Sequence, residues 1–169
     1  MKKILSIIII LIITLSCNNI QKGKVERENE PDIIGVKSDD SEMNLATEKA
    51  KLNIEYFDLA LKSNNPKFNN FSVKQPYKTE SGSEHIWISD IILKEDKYLG
   101  IIGNTPEYTS EVKLGDTVLV EKSRISDWMY IEENKLRGGY TIRALRSKMS
   151  ESEKKQFDND NGLIIEDEK

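Results

Sequence analysis

Between residues 71 and 145 the chain is a succession of short apolar runs, each closed by a turn signal, with no crossover-length helix between them. "FSVKQPY", "HIWISDIIL", "YLGIIGN", "TVLVEK", "RISDWMYIE" and "KLRGGYTIRAL" follow one another. "TESGSE", "KEDK" and "EN" read as tight connections, and "TPEYTSEVKLGD" as a longer loop. Parallel strands need long crossovers, usually helical, so this punctuation predicts antiparallel pairing. Pro76 cannot donate to a ladder, which predicts an edge position for the first run. In the last run Leu136, Gly138, Tyr140, Ile142 and Ala144 alternate with Arg137, Gly139, Thr141 and Arg143, which predicts one long strand with a wet face.

Helices are expected on either side of these strands. Ser41 reads as an N-cap, with Glu42 and Glu48 near the positive end of the helix it opens. Ala46, Ala50, Ile54, Phe57 and Leu61 recur at steps of four and three, on one face aimed at a core, and "SNNP" at 63–66 stops the helix. "SESEKKQF" predicts a short final helix capped by Ser150, and "DNDNGLIIEDEK" reads as a frayed acidic tail. The expected fold is therefore α+β: one long N-terminal helix packed on a curved antiparallel sheet of five to six strands, with a short C-terminal helix.

The N-terminus predicts an address. Residues 1–3 are a basic head, residues 4–13 are apolar except for Ser6, and "TLSC" ends at Cys17. This is the layout of a secretory signal, and its apolar run is short for a spanning helix. "LSC" resembles the bacterial lipobox, with Thr14 where a leucine is more usual; the lone cysteine of the chain falls at the acylation position. Acyl chains bury methylenes at about 0.8 kcal/mol each, enough for several chains to hold a protein on a bilayer. The expected organisation is a lipoprotein signal peptide at 1–16, a flexible tether at 17–40, a folded domain at 41–158 and an acidic tail at 159–169. "PDIIGV" within the tether is left unassigned. With Cys17 acylated, no thiolate remains for catalysis.

The chain carries 25 basic and 29 acidic side chains, a net charge of −4, and losing Lys2 and Lys3 with the signal moves it to about −6. That argues against a nucleic-acid partner, which needs a clustered basic face.

Five motifs then carry a resemblance. "EHIW" at 84–87, "GNTP" at 103–106, "LGDTV" at 114–118, "ISDWMY" at 125–130 and "GGYTIR" at 138–143 stand in an order and spacing similar to the YegJ-like bacterial family, domain of unknown function 2314. The resemblance runs from about residue 42 to 157 and implies a small α+β domain with no known activity.

Candidate site residues cluster in the same motifs. Strict alternation puts Asp127 on an apolar face with Ile125, Met129 and Ile131, and Trp128 and Tyr130 on the other. A buried carboxylate needs a partner, and Arg143 on the expected neighbouring strand is the candidate. A β-bulge near 126–127, or a solvent-facing turn cap, are the alternatives. Gly138 and Gly139 mark a bulge or bend, or a pocket filled by a neighbouring tryptophan; the alternative is that they let a ligand or a ring approach the backbone. Trp87 and Trp128 read first as core. His85, the sole histidine, has no second histidine or free cysteine to build a zinc site, and "DNDNG" lacks the spacing of a calcium loop. No Walker A loop, G-x-G-x-x-G or G-x-S-x-G is present. No cofactor or metal is expected.

The expected function is a non-enzymatic, lipid-anchored interaction module of the bacterial cell envelope, bound to the membrane through acylated Cys17 and to an envelope protein or ligand through Glu84, His85, Trp87, Asp127, Trp128, Tyr140 and Arg143. The alternatives are a small hydrolase using Glu84, His85 and Asp127, which requires the three to converge, and a purely structural envelope protein.

Overall fold

The structure is a computed structural model and describes residues 24–25, 33–34 and 40–166. The expected signal peptide and Cys17 lie outside the described residues. The chain divides into two units, residues 1–35 and 36–169. In the first, β1 (Lys24–Val25) pairs antiparallel with β2 (Ile33–Ile34), and β2 falls within "PDIIGV".

The second unit is an α+β domain with an open six-stranded antiparallel sheet and four helices. It runs α1 (Ser41–Leu52), α2 (Ile54–Lys62), β3 (Phe68–Thr79), β4 (Gly82–Lys94), β5 (Lys97–Ile102), β6 (Thr117–Glu121), a 3-10 turn (Lys122–Arg124), β7 (Asp127–Glu132), β8 (Lys135–Gly138), α3 (Tyr140–Ser147) and α4 (Glu151–Asn161). The strand order is β6-β5-β4-β3-β7-β8. Five residues, three of them in the 3-10 turn, join β6 to β7, although these strands stand four places apart. At about 4.8 Å per place a flat sheet would require roughly 19 Å, so the sheet has to coil to bring those ends together.

Alternation gives the sheet two faces. The inner one carries Val73, Tyr77, Ile86, Ile88, Tyr98, Ile102, Val120 and Trp128, which form one buried cluster with Ala50 and Phe57 from the helices. Phe57 meets Tyr98 edge-on at 5.5 Å and Trp128 at 5.7 Å.

The expected long helix is two helices, and the break has a tertiary cause. The Trp128 indole N–H donates to the Ala50 carbonyl at 2.8 Å. That carbonyl would bond the N–H of Ile54 in a continuous helix, so a core side chain has entered the ladder. The Asn53 side chain then closes the end of α1 on the Lys49 carbonyl at 2.9 Å. Asp40, not Ser41, is the N-cap: its carboxylate accepts from the Glu42 and Met43 N–H groups.

Pro76 does not lie on an edge strand, since β3 sits between β4 and β7. The β3–β7 ladder nevertheless ends at Lys74–Asp127, two residues before Pro76. Pro76 is thus locally at an edge, where its missing donor leaves no ladder bond unmade; its carbonyl accepts from Arg124 at 3.2 Å.

The expected last long strand stops at Gly138. Gly138 and Gly139 take left-handed conformations (φ +68° and +66°), and the chain then enters α3 instead of continuing the ladder. The expected frayed tail is also largely ordered. Residues up to Asn161 belong to α4, which Ser150 opens with a capping box to Glu153. Ile164 then bridges to Lys135 beside β8, and Leu163 and Ile165 join Met129, Ile131, Leu136, Ile142 and Phe157 in a second apolar cluster. "DNDN" is helical, and Asp158 forms a two-point ion pair with Arg146, Nε–Oδ1 2.8 Å and NH2–Oδ2 2.7 Å, linking α4 to α3.

Candidate functional site

The outer face of the sheet is where chemistry-bearing side chains collect without being used up by the fold. Lys74 on β3 stands opposite Trp87 on β4 and opposite Asp127 on β7. Directly opposed residues share a face, so the three form one row, with Pro76 and His85 as the next pair. Lys74 is half-buried; its ammonium lies 5.3 Å from the centroid of the Trp87 ring and donates to Thr141 Oγ1 of α3 at 3.3 Å. Loss of water lowers the Lys74 pKa, with the charge of Asp127 acting in the other direction.

His85 is exposed as a residue, but its Nδ1 side lies against Ser126 Oγ at 2.8 Å. Desolvation, and then the Lys74 charge, lower its pKa to about 4, so the ring is neutral at physiological pH. Ser126 also donates to the Lys74 carbonyl, through its N–H at 2.8 Å and its hydroxyl at 3.2 Å. It is buried, so its hydroxyl locks β3 to the start of β7 and is closed to substrate.

Asp127 is fully buried, and its partner is not Arg143. One carboxylate oxygen accepts from the N–H groups of Trp128 (2.8 Å) and Tyr140 (3.1 Å), and the other from the Thr141 N–H (2.8 Å) and hydroxyl (2.6 Å). Asp127 therefore caps α3 from the neighbouring strand, taking up the N–H groups that a helix start leaves unmet. Burial pushes its pKa up, while the Thr141 bonds, the Lys74 charge and the Trp128 N–H pull it down. Arg143 instead ties β8 to the C-terminal segment, donating to the carbonyls of Gly138 (2.8 Å), Leu136 (2.7 Å) and Glu166.

Trp128 is buried against Phe57 and the half-buried Tyr140, whose ring meets it edge-on at 5.6 Å. Gly138 is the residue that lets Trp128 in: a Cβ there would fall 2.3 Å from the Trp128 carbonyl and 2.4 Å from its ring. Glu84 points to the inner face, and its two oxygens accept from three successive amides of the 103–116 loop, Glu107 (2.9 Å), Tyr108 (2.9 Å) and Thr109 (3.0 Å). The convergence of Glu84, His85 and Asp127 that a hydrolase requires is therefore not formed: Glu84 and His85 lie on opposite faces, and both carboxylates are held by backbone donors.

Of the seven expected site residues, the outer face keeps His85 and Trp87 accessible; half-buried Lys74 joins them, and buried Thr141 bonds it from α3. Neither addition was legible in the sequence, because the strand pairing that puts Lys74 beside Trp87 carries no local signal. Beyond this row the face carries an apolar strip: Ile92, Leu99 and Leu119 stand in register across β4, β5 and β6, with Ile101 between Ser89 and Thr117 on one side of them and Lys94, Lys97 and Glu121 on the other. Ile92, Leu119 and Ile101 are 57%, 50% and 38% exposed. An open cleft of about 550 Å³, between the end of α2 and the bulged part of β4, is lined by Leu61, Asn64, Phe71 and Ile91 among others; it shares Ile92 with the apolar strip and holds none of the seven expected site residues. Among the described residues no group of three His, Cys, Asp or Glu side chains could hold a metal ion, and no helix is long and apolar enough to cross a membrane.

The family model described as an uncharacterised protein conserved in bacteria, DUF2314, matches residues 40–165. Uncharacterized protein YegJ of Escherichia coli K12 is 38% identical over 72 residues, 43% of this chain and 47% of that protein. A putative ankyrin repeat protein of Neisseria meningitidis serogroup B is 37% identical over 75 residues, 44% of this chain and 30% of that one. The chain thus spans less than half the length of these curated relatives. No solved structure matches.

Proposed function

The chain belongs to the DUF2314 family, and from that premise we propose that it is a non-enzymatic binding module, held at a bacterial membrane through acylated Cys17, whose working surface is the outer face of the sheet. The observation that carries this reading is the division of labour among the polar side chains. Glu84, Asp127 and Arg143 spend their hydrogen bonds on the fold itself, whereas half-buried Lys74 and Trp87 and exposed His85 adjoin exposed Ile92, Ile101 and Leu119 and half-buried Leu99. An apolar patch of this kind, edged by polar groups, is the usual mark of a recognition surface. The relative named as a putative ankyrin repeat protein matches over less than a third of its length, which fits a portable module.

Two experiments test the reading. In cells, Cys17→Ser releases the protein from the membrane fraction and abolishes palmitate labelling; a Cys17→Ser protein still retained and labelled removes the anchor. For the surface, crosslinking from membranes is compared for the wild type, Trp87→Ala/Leu119→Asp and Trp128→Ala. The surface variant loses its crosslinked partners with its melting temperature nearly unchanged, whereas Trp128→Ala melts early and keeps its partners under conditions where it is folded. A surface variant that keeps every partner overturns the assignment.

A further inference from the structure

We propose that Lys74 is an anion-recognition point, and that the outer face around it takes a carboxylate borne on an apolar chain. This rests on the outer-face reading above and names the chemistry which that face recognises.

Lys74 is an ion with incomplete hydrogen bonding. An ammonium carries three N–H donors. Lys74 makes one hydrogen bond, to Thr141 Oγ1, and places its charge over the Trp87 ring. Asp127 is the nearby acid, but its oxygens already accept four hydrogen bonds, so it offers Lys74 charge at a distance instead of a bonded partner. A half-buried cation with unused donors is costly unless an acceptor arrives. The Thr141 bond and the aromatic plane hold the ammonium in place, so that an incoming carboxylate meets a fixed donor. His85 is neutral beside it, so it neither competes for nor adds to the charge.

The apolar half of the ligand follows from what adjoins Lys74. Trp87 is two residues from Ser89, which pairs with Ile101, and the next row along the sheet is Ile92, Leu99 and Leu119. An acyl chain or extended aliphatic group with its head on Lys74 runs over Trp87 onto this row. A monoanionic carboxylate matches a single ammonium. A dianionic phosphate would bring surplus negative charge close to Asp127 in a chain whose net charge is already −4.

The test is calorimetric titration of the intact protein with octanoate, acetate and octanol. Octanoate binds saturably, while acetate, lacking the chain, and octanol, lacking the charge, bind more weakly. Lys74→Met keeps an unbranched apolar stem without the charge and weakens octanoate by about tenfold or more, the usual effect of losing a charge-assisted hydrogen bond. Lys97→Met, at a lysine paired with Glu121, leaves it unchanged. Affinity in the wild type falls as the solution is made alkaline, because only the protonated amine binds. The titratable groups whose charge acts on or is acted on by Lys74 are Asp127 on β7 and His85 on β4, and α3 bonds it through the non-titrating Thr141, so an alkaline loss reports Lys74.

Octanoate binding that survives Lys74→Met but is lost in Trp87→Ala overturns the role of Lys74 and leaves the face standing. The absence of saturable octanoate binding overturns the proposal outright, and crosslinking then judges the face separately. If Lys74→Met does not fold, the pH arm on the wild type decides: an affinity that stays flat to about pH 10 overturns the proposal.

Discussion

Gly138 and Gly115 both have left-handed backbones, at φ +68° and +85°, but they stand in different surroundings. Nothing lies within 4 Å of a Cβ added at Gly115, so Gly115→Ala pays only for the backbone and costs about 1 kcal/mol. At Gly138 the same atom would meet the Trp128 carbonyl and ring, and strain and overpacking add to about 3 kcal/mol or more. Urea unfolding of the two variants measures the difference, and equal costs would mean that Trp128 does not fill that space. His85 gives a second prediction. Its folded pKa of about 4 lies below the ordinary 6.5, so folding favours the neutral ring. The stability this contributes is complete above about pH 6.5 and is lost as the pH falls towards about 4. Melting temperatures measured across that window should fall more steeply for the wild type than for His85→Gln. Parallel curves would show that the ring is freely solvated. The sequence expectation that Gly138 makes room for a tryptophan agrees with the structure; the identity of the Asp127 partner does not. Arg143 is the complementary charge by type, but the groups that reach Asp127 are backbone amides and a hydroxyl, which sequence does not distinguish from any others.

At the scale of elements, ends were legible where the cap is local. Ser150 and Glu153 are three residues apart and cap each other, so the start of α4 can be read directly. The start of α1 is displaced by one residue, since Asp40 and Ser41 are both competent caps and only the backbone geometry selects between them. Asp40→Ala is therefore expected to cost about 1 kcal/mol, and Ser41→Ala less than about 0.5 kcal/mol, by urea denaturation; the reverse order would restore Ser41 as the cap. The start of α3 was not legible at all. "GGYTIRAL" alternates well enough to extend a strand, yet its helix is launched by two left-handed glycines and capped by a carboxylate more than ten residues earlier in the chain. The break between α1 and α2 is of the same kind, because Trp128 reaches across 78 positions to take the Ala50 carbonyl.

For the whole molecule, the C-terminal segment is structural. Ile165 is buried with Ile131 and Leu136, and the Leu136 N–H donates to the Ile164 carbonyl at 3.0 Å. Ile165→Ala should cost about 2 to 3 kcal/mol, and a chain ending at Gly162 should lose more, with faster hydrogen exchange at Leu136. Unchanged unfolding in both would return the segment to the status of a tail. The sequence alone determined the strand runs up to Gly138, their antiparallel sense, the apolar helix face and the hairpin turns, because each depends on neighbours a few residues apart. Tertiary structure alone decided which strand lies beside which, where the helices break and restart, and that Lys74, Trp87, His85 and Thr141 meet on one face. Those outcomes depend on contacts between residues far apart in the chain, whose pairing is fixed only when the coiled sheet closes around Trp128 and Phe57.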